Sequence, residues 1–175
     1  MIRRATASDV EAIRGVYNQA VVHSTATWDH DEVSYEDRVR WFDAHNTGRN
    51  VTLVAEIDGQ VVGYAGYGEF RSKIGWADTV EHSVYLLPDA RGHGLGTRLL
   101  VDLISAARSN GIHAMVGVLS SDNDVSVRLH RALGFVEVGR MPQVGNKFGR
   151  WLDAVFLELV LDERRRPGDP LTEEA

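Results

Sequence analysis

The segment Arg91-Gly92-His93-Gly94-Leu95-Gly96-Thr97 stands between an extended stretch of the chain and a long amphipathic one. Glycine lets a backbone approach an anion closely, and the free N–H groups at the start of a helix point toward such an anion. The segment therefore predicts a loop that binds a pyrophosphate, with Arg91 adding positive charge. The alternative is a glycine-rich connection that binds nothing.

Two other phosphate-binding motifs fit this loop less well. A P-loop closes with Gly-Lys followed by Ser or Thr, whereas Gly96 is followed by Thr97 and Arg98. A dinucleotide-binding fingerprint counted from Gly94 requires a glycine at position 99, where this chain has leucine. That fingerprint also requires an earlier parallel βαβ unit, and hairpin-like strands precede the loop instead.

Helix and strand signals alternate before the loop. Ile2–Ala5 is a short candidate strand, and Ser8 with Glu11 has the spacing of a capping box at a helix start. A second helix is expected after Ser34, and Asp58-Gly59 suits a two-residue hairpin turn. The positions that define these elements are Val10, Ile13, Val16, Tyr17, Ala20 and Val21 in the first helix, Val39, Trp41 and Phe42 in the second, residues 51–58 and 60–70 in the hairpin, and residues 77–87 in a further strand.

The residues after the loop indicate strands joined by helices. The expected elements are a helix from Leu95 that ends at Asn110-Gly111, a buried strand over 112–119, a short helix over 124–133 that stops at Gly134, and strands near 135–140 and 152–161. We predict one mixed α+β or α/β domain over residues 1–162, followed by a charged, flexible tail over residues 163–175.

Composition excludes several classes of protein. A chain of 175 residues with 43% hydrophobic residues is one domain with a real core, and its net charge of −6 argues against a binder of nucleic acid or acidic membranes. The absence of cysteine excludes an enzyme thiol, and no apolar run is long enough for a membrane span or a signal peptide. We expect a cytoplasmic protein.

The loop and several further strings resemble the GNAT acetyltransferase superfamily. The strings that resemble the superfamily are Arg91-x-x-Gly94-x-Gly96 at a strand-to-helix junction, Asn123 before a short helix, and Leu129–Phe135 at the last helix and strand entry. Two further strings, Thr79–Tyr85 and Lys147–Asp153, resemble the phosphinothricin and methionine sulfoximine N-acetyltransferase branch. The resemblance covers residues 2–162. It implies a mixed, mostly antiparallel sheet flanked by helices and splayed between the strands that end near Leu87 and Leu119, where the pantetheine arm of acetyl-CoA enters.

Acetyl transfer to an amine needs a base, and Glu81 is the candidate. Strand alternation places Thr79, Glu81, Ser83 and Tyr85 on one face, and Glu81 stands just before the phosphate loop. In the branch that the chain resembles, the matching glutamate deprotonates the amine. The alternative is a solvent-facing strand glutamate. With no cysteine and no Gly-x-Ser-x-Gly turn, direct attack in a ternary complex is the expected route.

The resemblance also implies how acetyl-CoA is bound. Its expected contacts are Arg91 to Thr97 with the pyrophosphate, the strand residues Val84, Tyr85 and Leu86 with the pantetheine arm, and Asn123 and Ser126 from the other side. Asn123 has an alternative role as N-cap of the following helix. His130 stands where many members have a tyrosine as thiolate acid; a structural histidine is the alternative, and no metal-binding spacing occurs.

The acceptor site is expected just before the base. The candidate substrate-binding residues are Phe70, Arg71, Lys73, Trp76, Thr79 and Trp28. Trp28 either caps this pocket or packs the first helix beneath it. A pocket with aromatic walls and cationic side chains suits a small amino acid, because a cation can pair with its carboxylate. Arg71 is the main candidate for this cation. A solvated loop is the alternative for this segment. Other functions left open are acetylation of a protein N-terminus, a polyamine or an aminoglycoside, and CoA sensing without turnover.

A homodimer is expected on two grounds. Trp41, Phe148 and Trp151 exceed the aromatic residues that one small core needs, and the branch that the chain resembles is dimeric. In that branch, the region of the string Lys147–Trp151 lies near the substrate pocket.

Overall fold

The structure is a computed structural model that describes residues 1–171. Its strands are β1 (Ile2–Arg4), β2 (Thr52–Ile57), β3 (Gln60–Glu69), β4 (Thr79–Leu86), β5 (Ala114–Ser120), β6 (Val136–Lys147) and β7 (Arg150–Val160). Its α-helices are α1 (Val10–His23), α2 (Tyr35–His45), α3 (Leu95–Ser109) and α4 (Asp124–Ala132). Three short 3₁₀ turns, Ala7–Asp9, Ile74–Trp76 and Pro88–Ala90, connect these elements.

The seven strands form one sheet in the order β1-β2-β3-β4-β5-β7-β6. All neighbours are antiparallel except β4 and β5, which run parallel. The β4–β5 ladder pairs only Thr79 with Ala114, Val80 with Met115 and Glu81 with Val116. The two strands continue to Leu86 and Ser120 and therefore separate beyond Glu81, which confirms the predicted splayed sheet.

Each face of the sheet has its own core. On one face, the apolar side of α3, including Leu99, Leu100 and Leu103, packs against buried residues of the sheet. On the other face, α1 and α2 pack over Val54 and Tyr64. Because side chains alternate along β4, Val84 packs against the core under α3 and Tyr85 packs against the core under α1 and α2.

Local signals placed most boundaries correctly, with one correction near the N-terminus. Asp58 and Gly59 have φ of 49° and 79° in the predicted hairpin turn, and the Ser34 side chain caps α2. The capping box predicted at Ser8 and Glu11 is wrong. Thr6 and Asp9 form it instead, because the Asp9 carboxylate accepts hydrogen bonds of 2.8 and 3.0 Å from the Thr6 backbone N–H and hydroxyl.

The last hairpin is longer than predicted. The sequence places two separate strands near 135–140 and 152–161, but β6 reaches Lys147 and β7 begins at Arg150. The register shifts between Met141 and Gly145, and Gln143 has a φ of 54°. This irregularity interrupts the alternation from which strands are recognised in a sequence.

The chain beyond β7 is described as far as residue 171 and holds no helix or strand to that point. Arg164, at the start of the tail that the sequence predicts to be flexible, donates to the Asp162 carboxylate at 2.8 Å and to the Gly111 carbonyl at 3.0 Å. Residues 172–175 of that predicted tail lie outside the described residues. Among the described helices, none has the length and apolarity that crossing a membrane requires.

Candidate active site

The glycine loop leads directly into α3. Gly92 and Gly94 have φ of 81° and 73°, a conformation that L-side chains rarely adopt, and Gly94 is the N-cap of the helix. The first backbone N–H groups of α3 therefore remain free of intrahelical bonds. The Arg91 guanidinium donates to the Leu86 carbonyl at 3.0 and 3.2 Å, which holds its charge beside the loop. These features fit a pyrophosphate group.

A cleft of about 50 Å³ opens where β4 and β5 separate. Its lining includes Val84, Tyr85, Gly117, Asn123, Ser126 and His130. Beyond Glu81 the β4 backbone groups that face β5 no longer bond to that strand. Such groups can bond an extended ligand, so the cleft fits the pantetheine arm of acetyl-CoA. Leu86, the third strand residue predicted for this contact, lies outside the lining and offers its carbonyl to Arg91.

Asn123 and Ser126 stand at the start of α4, on the far side of this cleft. The Asn123 side chain accepts a hydrogen bond of 3.2 Å from the Ser126 backbone N–H, so the alternative role as a helix N-cap is correct. Both residues also line the cleft. A role in binding the pantetheine arm is compatible with the cap, because the Asn123 amide nitrogen remains available as a donor.

Two histidines meet beneath the cleft. His130 is 3% exposed, and its Nε2 lies 2.8 Å from Nε2 of His82. His82 is also buried, on the face of β4 opposite to that of Glu81. The Nδ1 of His82 is 2.9 Å from the Val116 carbonyl and that of His130 is 2.7 Å from the Ser126 carbonyl. Since a carbonyl only accepts, each Nδ1 is placed to donate, and a hydrogen bond between the two Nε2 atoms forms only when one of the rings takes up a second proton.

Burial decides how that proton is shared. Burial, together with repulsion from a charge on His130, lowers the pKa of His82 to about 3. Burial also lowers the pKa of His130, while the Ser126 carbonyl opposes the shift. His82 therefore stays neutral at physiological pH, and a second proton, when the pair takes one up, is carried by His130. No sequence signal selected His82, although strand alternation places its side chain on the face of β4 opposite to that of Glu81.

Glu81 occupies the last position at which β4 pairs with β5, directly at the opening of the cleft. Its side chain is half-buried, and burial raises the pKa of its carboxyl while the Arg71 guanidinium opposes that rise. A carboxyl with a raised pKa is a stronger base than an exposed one, and it lies beside the cleft. The arrangement suits removal of a proton from a group bound at this opening.

The segment predicted to bind the acceptor lies at the surface near Glu81. Arg71 is exposed, its guanidinium lies 4.2 Å from the centre of the Phe70 ring, and it donates to the Phe70 carbonyl at 2.7 Å. The Phe70 and Trp76 rings meet edge to face at 5.4 Å. Lys73 is exposed, and Thr79 begins β4 beside Ala114. None of these residues lines either of the two cavities described for this chain.

The larger cavity, of about 350 Å³, lies between the sheet and the two N-terminal helices. It is lined by Tyr17, Arg38, Trp41, Tyr64, Ser83 and Tyr85, and Asp29, Val33 and Asp37 complete its wall. We call it the Arg38 cavity. Sequence reasoning missed it, although Arg38 stands three and four residues before Trp41 and Phe42 and so shares the apolar face of α2. Trp41 packs here, stacked on His45 at 4.3 Å, so its assignment to a surplus of aromatic residues is wrong.

The loop between α1 and α2 contacts the tip of the last hairpin. Trp28 packs directly on Gly145 and leaves no room for a Cβ there. The buried Lys147 ammonium donates to the Thr27 carbonyl at 2.7 Å, and burial lowers the pKa of this ammonium while Asp29 opposes the shift. Lys147 therefore joins the string 147–151 to the loop that closes one side of the Arg38 cavity, and Trp28 adds a contact with Gly145 of the same hairpin. Among residues 1–171, no three metal-ligating side chains come together.

Comparison with known proteins gives consistent matches over almost the whole chain. The model of the acetyltransferase (GNAT) family matches residues 14–135. The L-amino acid N-acyltransferase MnaT of Escherichia coli is 48% identical over 95% of this chain and 96% of its own length. An L-methionine sulfoximine/L-methionine sulfone acetyltransferase of Pseudomonas aeruginosa is 47% identical over 94% of this chain and 96% of its own.

A solved structure agrees with the fold. The phosphinothricin acetyltransferase of Sinorhizobium meliloti, determined in complex with acetyl-CoA, superposes with a TM-score of 0.93. It is 33% identical in sequence, and the match covers 98% of this chain and 94% of that one. The match therefore extends over the splayed sheet, the glycine loop and both cavities.

Proposed function

Because the chain belongs to the acetyltransferase (GNAT) family, we propose that it transfers the acetyl group of acetyl-CoA to the α-amino group of a small amino acid. Methionine sulfoximine, methionine sulfone and phosphinothricin are the proposed acceptors, since enzymes named for these compounds are similar to this chain over nearly its full length. The main support within the chain is the position of Glu81, a half-buried carboxylate at the opening of the cleft between β4 and β5.

The proposed contacts of acetyl-CoA are the loop from Arg91 to Thr97, the backbone of β4 from Val84, and the side chains of Asn123 and Ser126. Acetyl-CoA supplies the acetyl group as a thioester. The free N–H groups of α3 and the Arg91 guanidinium bind the pyrophosphate, because both present positive charge to one point. The β4 backbone groups left unpaired by β5 bind and orient the pantetheine arm.

Glu81 removes a proton from the acceptor ammonium and releases it to solvent, and the neutral amine then attacks the thioester carbonyl. As the C–S bond breaks, the nitrogen gives its second proton to Glu81 and the departing thiolate takes one up. The raised pKa of the Glu81 carboxyl is closer to neutral pH than that of an exposed glutamate, which makes Glu81 a better general base. We propose that His130 donates a proton to the departing thiolate of CoA. This histidine lines the cleft, and its lowered pKa makes its protonated form a stronger acid than an exposed imidazolium. The acceptor carboxylate is bound by Arg71, and Phe70, Lys73, Trp76, Thr79 and Trp28 surround it.

We also propose a homodimer that forms through the last hairpin. Phe148 and Trp151 are 56% and 65% exposed, and Met141, Val136 and Val138 add apolar surface along the same hairpin. A surface of this kind is typical of an interface. Sedimentation at micromolar concentration tests this, because a particle of about 19 kDa, the monomer mass, would exclude the dimer.

Acetylation removes the charge of the acceptor amine, so the proposed cellular role is cytoplasmic detoxification of such analogues, which confers resistance to them.

The test of the proposed function is turnover of acetyl-CoA on a panel of amines. We expect the highest kcat/KM with methionine sulfone, methionine sulfoximine or phosphinothricin, and little turnover with spermidine, an aminoglycoside or a peptide N-terminus. The carboxamide of methionine sulfone is the sharpest comparison, because it differs from the acid only in the group that Arg71 is proposed to bind. Equal kcat/KM for the acid and the amide would exclude recognition of an amino acid.

A further inference from the structure

Arg38 is a buried cation that has no anionic partner among the described residues. Its side chain is 3% exposed, and no carboxylate within residues 1–171 forms an ion pair with it. Its guanidinium lies 4.0 Å from the centre of the Tyr17 ring and 4.8 Å from that of Trp41. Its NH1 is 3.4 Å from the Tyr64 hydroxyl, and its Nε has no hydrogen-bond partner. A buried donor in this state is costly unless a ligand completes it.

The cavity that Arg38 lines adjoins the reaction site. Ser83 and Tyr85 of β4 line both the Arg38 cavity and the cleft between β4 and β5. These two residues share one face of β4 with Glu81, and residues two apart on a strand lie about 7 Å apart. An acceptor with its amine at Glu81 can therefore extend a side chain of three or four bonds past Ser83 toward Arg38.

The charges around the cavity indicate which chemical group it accepts. Asp29 and Asp37 also form its wall; Tyr17 donates to Asp29 at 2.6 Å, and Ser34 and Arg40 bond Asp37. Two carboxylates repel a free anion, and the aromatic walls favour an apolar chain. An uncharged group with a strongly polar oxygen at the end of such a chain, such as a sulfone, avoids this repulsion better than the phosphinate anion of phosphinothricin does, and it accepts a hydrogen bond from the free Nε.

We propose that the Arg38 cavity binds the side chain of the acceptor, and that Arg38 donates a hydrogen bond from Nε to an oxygen bonded to its sulfur. This proposal rests on the proposed function and specifies how the enzyme distinguishes an oxidised thioether from a plain one. Arg71 and Arg38 then have separate tasks, because Arg71 binds the α-carboxylate beside Glu81 and Arg38 binds the far end of the side chain.

The test compares L-methionine sulfone with L-methionine, which has the same chain but lacks the sulfone oxygens. Arg38→Met removes the donor and retains an unbranched apolar side chain. We expect kcat/KM for the sulfone to fall about ten- to a hundredfold, the range of a lost charge-assisted hydrogen bond, while kcat/KM for methionine changes less than threefold. Arg14→Met is the matched control, because Arg14 lies on the neighbouring helix α1, pairs with Glu11 and does not line the cavity. It should leave the ratio of the two substrates unchanged.

A second variant tests the cavity without altering Arg38. Val33 lines the cavity, and Val33→Phe partly fills it. We expect this change to raise the KM of methionine sulfone at least tenfold and to leave the KM of acetyl-CoA and that of alanine within threefold of wild type. The variant remains informative even if Arg38→Met fails to fold.

The possible outcomes separate this inference from the proposed function. If the wild-type enzyme acetylates none of these amino acids, the proposed function itself is wrong. If the wild type acetylates them and Arg38→Met lowers sulfone and methionine turnover equally, Arg38 is only structural and the inference is overturned. An unchanged KM for methionine sulfone in Val33→Phe would equally exclude the cavity as the side-chain site.

Discussion

The cleft between β4 and β5 and the Arg38 cavity adjoin one another but are built in opposite ways. Two diverging backbones form the cleft, and its two buried histidines, His82 and His130, contact each other and nearby carbonyls. Side chains from α1, α2, β3 and β4 form the cavity, and its buried cation lacks an anionic partner among the described residues. A site made of backbone depends little on side-chain identity and suits a fixed co-substrate, whereas a site made of side chains determines which acceptor is chosen.

Glu81 lines neither region but lies on the same face of β4 as Ser83 and Tyr85, which line both, and its removal should have the largest effect. Glu81→Gln keeps the shape of the side chain and removes the base, so we expect kcat at neutral pH to fall about 10²- to 10⁴-fold with both KM values nearly unchanged. The measurement is the pH profile of kcat. The loss should diminish at high pH, where the amine deprotonates without help; a loss of the same size at every pH would indicate a positioning role. Glu69→Gln, at the exposed end of β3, is the control.

Arg71→Ala should affect the acceptor side and leave the cleft intact. We expect the KM of the acceptor to rise about ten- to a hundredfold and that of acetyl-CoA to stay within twofold. Arg71 also opposes the rise in the pKa of Glu81, so its removal raises that pKa further. The acid limb of kcat/KM should therefore move to higher pH. A rise in acceptor KM without any movement of that limb would argue against contact between Arg71 and Glu81.

Gly94→Val should affect the cleft side and leave the cavity intact. Gly94 has a φ of 73°, where a β-branched residue is strained by about 1–3 kcal/mol. We therefore expect the loop to change conformation, so that its N–H groups no longer point toward the pyrophosphate. We expect the KM of acetyl-CoA to rise about tenfold and the KM of the acceptor to stay constant. Gly15→Val is the control, since Gly15 is exposed on α1 and has an ordinary φ and open space around it. A normal KM in the folded variant would make the loop a mere connection.

The histidine pair should produce the smallest effect, and it appears in stability. Both imidazoles have a lowered pKa, that of His82 about 3, so below pH 6.5 the unfolded chain takes up protons that the folded protein resists. The free energy of unfolding should therefore fall by about 1–2 kcal/mol between pH 7 and pH 5. Glu81, whose pKa is raised, acts in the opposite direction over this range.

Denaturant titration of wild type and His82→Gln at the two pH values isolates the effect, because Glu81 is present in both proteins. The variant should lose less stability on acidification than the wild type does. The same loss in both proteins would show that His82 is not buried in its neutral form.

Features confined to a few neighbouring residues were predictable. The hairpin turn at Asp58-Gly59, the Ser34 cap and the start of α3 after Gly94 all follow from local backbone preferences. The capping box shows the limit of this approach, since Ser8 with Glu11 has the right spacing, but Asp9 is held by Thr6 and by Arg3 of β1. The length of β6 was missed because its register shift interrupts the alternation of side chains.

By itself, the sequence determined the family, the glycine loop and the candidate base, because each is a short string whose chemistry depends on residues adjacent in the chain. The tertiary structure decided that β4 and β5 separate beyond Glu81, that His82 meets His130, and that Arg38 is left without an anionic partner among the described residues. These features bring together residues that lie tens of positions apart. Which partners such residues find depends on how helices and strands pack, and no local preference specifies that.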